Sequence, residues 1–92
     1  MKVKLIQTGG VVGQQHIGPF DTNDLPSSSR EELEGAIQAV DWDFRSDHGS
    51  FPIMYTLEVD ERHVSWPSND SPDWASAIAK IIVGLGGWEL GG

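Results

Sequence analysis

The chain contains no cysteine. Disulfide staples and thiolate-held metal sites are therefore excluded. Basic residues are scarce, with six Lys and Arg against fourteen Asp and Glu and a formal net charge of −8. Nucleic acid is a poor partner for such a surface, because its phosphates need positive charge, and an anionic membrane surface is a poor partner for the same reason. No apolar run approaches the length needed to span a bilayer. At the start of the chain Lys2 and Lys4 are followed only by Leu5 and Ile6, far short of a signal-peptide core. The expected location is the cytoplasm. Acidity on its own confers solubility and names no partner.

Patterns that carry chemistry are also sparse. His16, His48 and His63 belong to no His-x-x-x-His spacing, so no metal site is expected. Asp41, Asp43 and Asp47 lack the glycine and glutamate offsets of a calcium loop. The serines cluster where turns and helix starts are expected, and no Gly-x-Ser-x-Gly occurs. Gly9-Gly10-x-x-Gly13 follows a strand but opens another strand, which is the wrong context for a phosphate loop. Glu58 and His63 read as a cross-strand ion pair in preference to an acid–base couple. The expectation is a protein that is not an enzyme and carries no cofactor.

What the sequence does contain is alternation and turn chemistry. Lys2–Gln7 and Val12–Pro19 read as strands on either side of Gly9-Gly10, a pair suited to a tight hairpin turn. Val3 and Leu5 point one way and Lys2 and Lys4 the other. Asp21–Asp24 is a turn, followed by a helix with a capping box from Ser28 to Glu31 or from Ser29 to Glu32. Leu33, Ala36, Ile37 and Val40 share one face of that helix. Gly35 costs the helix about 1 kcal/mol relative to Ala, a cost that close packing against a strand would explain. Asp41–Pro52 is a long connection rich in aromatics.

The second hairpin is the best specified unit. Ile53, Tyr55, Leu57 and Val59 share a face. A two-residue turn at Asp60-Glu61 opposes Val59 to Arg62, Leu57 to Val64, Tyr55 to Trp66 and Glu58 to His63, so the apolar sets agree across the pair. Ser71-Pro72-Asp73 then opens a second helix, with Ser71 as its cap. Its apolar face is Trp74, Ile78, Ile81, Ile82 and Leu85, and Gly84, Gly86 and Gly87 end it. Ninety-two residues suit one domain, expected over 1–87, with 88–92 as a tail. The expected fold is α+β: a four-stranded antiparallel sheet with two helices on one face, in the order ββαββα. Lys2, Lys4, Thr56, Glu58, His63 and Ser65 are expected on the other, open face. Trp66 and Trp74 belong to the core by periodicity. Phe20, Trp42, Phe44, Phe51 and Trp88 fall in connections, where an aromatic ring is either satellite packing or an interface anchor.

Over residues 3–85 these features occur in a set order. A strand ends in Gly9-Gly10, and a second strand follows. Asp21 and Leu25-Pro26 lead into the helix that carries Leu33, and Asp41 follows it. Tyr55-x-Leu57-x-Val59 forms the third strand, His63 and Val64 lie in the fourth, and a helix closes the set. The set resembles the emfourin family, small bacterial cytoplasmic proteins that inhibit protealysin and related thermolysin-like metalloproteases. The stretch Asp43–Pro52 and the Trp88–Gly92 tail match no hallmark of that family. The resemblance implies a metalloprotease inhibitor that acts by protein binding, without catalytic residues or a metal of its own. The chain is expected to be a monomer.

A protease of that class holds zinc in a cleft and favours a bulky apolar side chain after the scissile bond. Two stretches could enter such a cleft. One is the narrow tip Gly9, Gly10 and Val11. The other is the loop with Phe44 and Phe51 as anchors and Asp47 and His48 between them. Two rival readings remain. Leu90-Gly91-Gly92 resembles the tail of ubiquitin-like sulfur or protein carriers, although Pro72–Leu85 reads as a helix where those carriers have a strand. The other rival is an interaction module with no inhibitory role.

Overall fold

The computed structural model describes residues 1–9, 13–45 and 53–90. Its elements are β1 (Lys2–Gly9), β2 (Gln15–Asp21), a 3-10 turn at Thr22–Asp24, α1 (Ser27–Gln38), β3 (Ile53–Val59), β4 (Arg62–Pro67), α2 (Asp73–Leu85) and β5 (Glu89–Leu90). The strands form one antiparallel sheet in the order β4-β3-β1-β2-β5. Val3, Leu5, Ile17, Leu57, Val59, Val64 and Trp66 of the sheet share one core with Leu33 and Ile37 of α1 and Ala75, Ile78 and Ile82 of α2. Both helices therefore cover the same face. This is the α+β arrangement, in the order ββαββα, that the periodicities predict. The two-residue β5 is added at the β2 edge.

The second hairpin has the register that its alternation demands: Val59 opposite Arg62, Leu57 opposite Val64, Tyr55 opposite Trp66 and Glu58 opposite His63. Asp60 in its turn holds φ at +53. Its carboxylate accepts the Lys2 N–H at 2.9 Å. Its own N–H donates to the Lys2 carbonyl at 2.9 Å. On the open face the Thr56 and Ser65 hydroxyls are 2.8 Å apart. Glu58 faces His63 there, but among the described residues no ion pair links the two. With His63 exposed and Glu58 only half-buried, such a pair gains too little to fix one geometry.

The first hairpin departs from expectation. Its last pair is Gln7 with Gln15, so the connection is longer than a two-residue turn at Gly9-Gly10. Thr8 and Gly9 instead continue the ladder with β3, opposite Met54 and Ile53. Strand β2 starts later than the pattern suggests and runs past Pro19 to Asp21. It does so through a bulge, where the register shifts between Val3 and Leu5 of β1. A bulge is one of the few places where a strand accepts proline.

The helix starts differ as well. Helix α1 begins at Ser27 with Pro26 at the cap position and no side-chain cap bond, so neither serine box forms. Helix α2 likewise has Pro72 at the cap position. The Ser71 hydroxyl turns back to the Pro67 and Ser68 carbonyls, at 3.4 Å each. Gly35 is exposed, with open space where a Cβ would stand, so it does not mark close packing. The buried stripe of α2 is Ala75, Ile78 and Ile82, with Trp74 and Ile81 half-buried and Leu85 exposed. Among the described residues no helix is long and apolar enough to cross a membrane.

Candidate functional site

One end of the sheet gathers the chain segments singled out by sequence. Strand β1 leaves it at Gly9 and β3 enters it at Ile53, and these two residues stand directly opposite each other. Strand β2 enters at Gln15, opposite Leu90 of β5. Strand β4 leaves at Pro67, opposite Met54. Gly9 is exposed and holds φ at +89, a conformation that favours glycine. Residues 10–12 thus follow β1 and residues 46–52 precede β3 at neighbouring positions of one ladder.

Of the residues expected to make contact, Gly9 lies on that ladder. Phe44 is half-buried, its ring edge-on to Trp74 with centroids 5.9 Å apart. Gly10, Val11, Asp47, His48 and Phe51 lie outside the described residues. Phe20, Trp42, Phe44 and Trp88 all pack against the core. Phe20 lies in β2, opposite Val3, and not in a connection as its place in the sequence suggests, and for all four aromatics packing is the role that the geometry gives.

Beneath this end runs a continuous line of rings. Trp88 lies 6.2 Å from Tyr55, Tyr55 stacks on Trp66 at 6.1 Å, Trp66 meets Trp74 edge-on at 5.5 Å, and Trp74 meets Phe44. Edge-on and offset contacts suit the ring quadrupoles and stiffen what they carry. Tyr55 and Trp66 follow from the hairpin register. The seat of Trp88 does not, because no sequence pattern joins a residue after α2 to the third strand. The Arg62 guanidinium lies over the Trp42 ring at 4.6 Å, which holds the start of the long connection against β4.

The opposite end of the sheet is polar. Thr22 is fully buried, and its hydroxyl donates to Glu34 Oε2 at 3.1 Å. The Met1 ammonium donates to that hydroxyl at 3.3 Å and pairs with Asp21 at 3.5 Å. The Asn23 backbone N–H, donated to Asp21 Oδ1 at 3.0 Å, holds the Asp21 carboxyl below its ordinary range, aided by the Met1 ammonium and Lys2. On β2 the His16 Nδ1 is 2.9 Å from the Gly18 carbonyl, so Nδ1 carries the proton and donates. Among the described residues no group of three or more His, Asp or Glu is placed to hold a metal.

Between α1 and α2 lies an open groove of about 520 Å³, lined by Ser29, Glu32, Ala77, Lys80, Ile81, Gly84 and Leu85. Among the described residues no hydrogen bond or ion pair joins the Ser29, Glu32 and Lys80 side chains that line it. What the described residues offer is contact surface: strand ends, exposed backbone and an aromatic bed. Compared with known proteins, the chain matches no family model, no curated protein and no solved structure.

Proposed function

We propose that this chain is a cytoplasmic inhibitor of a thermolysin-like zinc metalloprotease, and that it blocks the active-site cleft by protein–protein binding. The resemblance of residues 3–85 to the emfourin family supplies the target class. The observation that carries the contact surface is Gly9 standing opposite Ile53. The strand that leads to the glycine tip and the strand that the aromatic-flanked loop enters thus lie side by side, since opposed residues of a ladder are about 4.5–5.5 Å apart. A protease cleft is concave, and an inhibitor blocks it by entering it. The ring line below keeps the bases of both connections fixed, which lowers the ordering cost of binding. Binding there needs no catalytic residue or metal from the inhibitor.

The carrier reading is less well supported. The chain is tied to the sheet edge as far as Leu90 by its pairing with Gln15. A carrier needs a freely extending segment ahead of its terminal glycines.

Titration of the purified protein into assays of several thermolysin-like proteases tests the proposal. Loss of activity near a one-to-one ratio is the expected result. Full activity throughout, with every enzyme tried, sinks it. Replacing Gly9-Gly10 with Asn-Gly tests the tip. If that variant keeps the fold and inhibits unchanged, close contact through the glycine pair is abandoned.

A further inference from the structure

Helix α2 is apolar nearly all round. Of its 13 residues only Asp73, Ser76 and Lys80 have hydrophilic side chains. A helix of that composition is ordinarily covered on every side. Ala75, Ile78 and Ile82 fill the core stripe. A second row, Ala77, Ile81 and Leu85, recurs at helical spacing with Gly84 beside it and lines the groove shared with α1. Ile81 is half-buried, and Ala77, Gly84 and Leu85 are exposed. A Cβ on Gly84 would meet nothing, so another helix can come close there. The groove also carries two opposite charges. Glu32 of α1 and Lys80 of α2 both line it, and both are exposed. Among the described residues neither forms an ion pair.

We propose that this groove is the interface between two copies of the chain, related by a two-fold axis that runs along it, so that α1 of each copy lies on α2 of the other and each Glu32 pairs with the other copy's Lys80. Charge complementarity identifies the occupant. A two-fold interface presents one patch twice, so every contact occurs in both directions. A patch that holds one unpaired acid and one unpaired base on its two sides is therefore complementary to itself. Charge also selects the way the helices stack. Like helix on like helix would set Glu32 near Glu32 and Lys80 near Lys80, whereas crossing them makes two attractive pairs out of four unpaired charges. The stack takes Ala77, Ile81 and Leu85 out of water, which is the main gain. Helices of 12 and 13 residues are each about 18–20 Å long. A face of that size stands toward the lower end of specific interfaces, and a net charge of −8 makes the copies repel at long range. The dimer is accordingly reversible, and its population rises with protein concentration. The inference does not depend on the inhibitory reading.

Charge exchange between copies tests the pairing. Sedimentation equilibrium of the unaltered chain, at up to roughly millimolar concentration, should show monomer and dimer in exchange. Glu32→Lys alone and Lys80→Glu alone should each weaken the dimer by roughly tenfold, because each turns both attractive pairs repulsive. An equimolar mixture of these two variants should associate about as tightly as the parent, since each reversed residue then meets an opposite charge. Glu32→Lys also lowers the net negative charge, so relief of general repulsion would strengthen its dimer. Glu61→Lys makes the same change of net charge in the turn of the second hairpin and should cause no weakening. In the unaltered chain, NMR shifts that change with concentration should fall at Glu32, Ala77, Lys80, Ile81 and Gly84. The proposal is overturned by a chain that stays monomeric at every concentration, or by a dimer that tolerates both single reversals. A mixture no tighter than either variant alone, or concentration-dependent shifts confined to residues outside α1 and α2, overturns it equally. The shift measurement uses no variant, so it decides the matter even if a reversal disturbs the fold.

Discussion

Gly18 of β2 lies hard against β1: a Cβ on Gly18 would stand 2.6 Å from the Val3 carbonyl oxygen, and the residue holds φ at +90. The bulge that carries β2 past Pro19 depends on this bare position. Gly18→Ala meets a backbone atom that cannot swing away and a conformation that L side chains avoid. It should lower stability by about 2–4 kcal/mol, read as a shift in the denaturant midpoint. An unchanged midpoint would show that the bulge can be re-formed without glycine.

Gly35 is the contrasting case. It sits in the interior of α1, exposed, with nothing near its missing Cβ. Gly35→Ala should raise stability by about 0.8–1.0 kcal/mol, the ordinary helix-propensity difference. Thermal unfolding is a sufficient readout, and a loss of stability would mean that the residue serves a contact not seen in this fold.

Asp60 combines a positive φ with a hydrogen bond to the Lys2 N–H. The three substitutions Asp60→Asn, Asp60→Gly and Asp60→Ala separate the two roles. Asn keeps both the tolerance for positive φ and an oxygen acceptor, Gly keeps only the tolerance, and Ala keeps neither. The expected order of stability is Asn, Gly, Ala, with Ala about 1–3 kcal/mol below the parent. Equal losses for Gly and Ala would remove backbone strain from the account.

The folded-state depression of the Asp21 carboxyl fixes the sign of a pH effect. A carboxyl held below its ordinary value of 3.8 stabilises the fold above that value, and this contribution is lost as pH falls through the lower folded-state pKa. Asp21→Asn should therefore be less stable than the parent at about pH 6, and the difference should close below about pH 4. Denaturant midpoints across that range are the measurement, and a gap that widens on acidification contradicts the assignment.

Its place in an aromatic-rich loop suggests Phe44 as a contact anchor, whereas its edge-on ring contact with Trp74 gives it a packing role. Stability measured over a double-mutant cycle with Phe44→Leu and Trp74→Leu should show a coupling of about 0.5–1.5 kcal/mol. Protease titration of the same variants separates the roles. An anchor weakens inhibition at unchanged stability, whereas a packing residue alters both.

The second hairpin was legible to the residue because three signals agree. Its apolar set alternates strictly, its turn is polar and short, and a slip of one residue would bury Glu58 and expose Leu57. The core stripes of α1 and α2 were legible for the same reason, except at Leu85, which is exposed beside the groove between the helices. The glycine pair was read as a turn because local geometry permits one. The ladder with β3 took Thr8 and Gly9 instead, since inter-strand bonds there satisfy backbone groups that a tight turn would leave open. The serine caps that the sequence suggests do not form, because a serine hydroxyl can turn to nearby carbonyls instead, as Ser71 does by donating to those of Pro67 and Ser68. Residue type alone singles out Gly9 and Phe44 in the sequence, whereas only the structure gives their surroundings, Ile53 opposite Gly9 and Trp74 beside Phe44.

By itself the sequence determined which segments are strands and helices, which face of each is apolar, and hence an α+β sheet with its helices on one side. Periodicity is a local property, and burial of the apolar stripes leaves few other arrangements. Only the tertiary structure decided that Gly9 meets Ile53 and that Trp88 returns to Tyr55. It alone also brought the ends of four strands together at one edge. These are contacts between residues far apart in the chain, fixed by strand order and by the path of the connections, and no window of neighbouring residues encodes them.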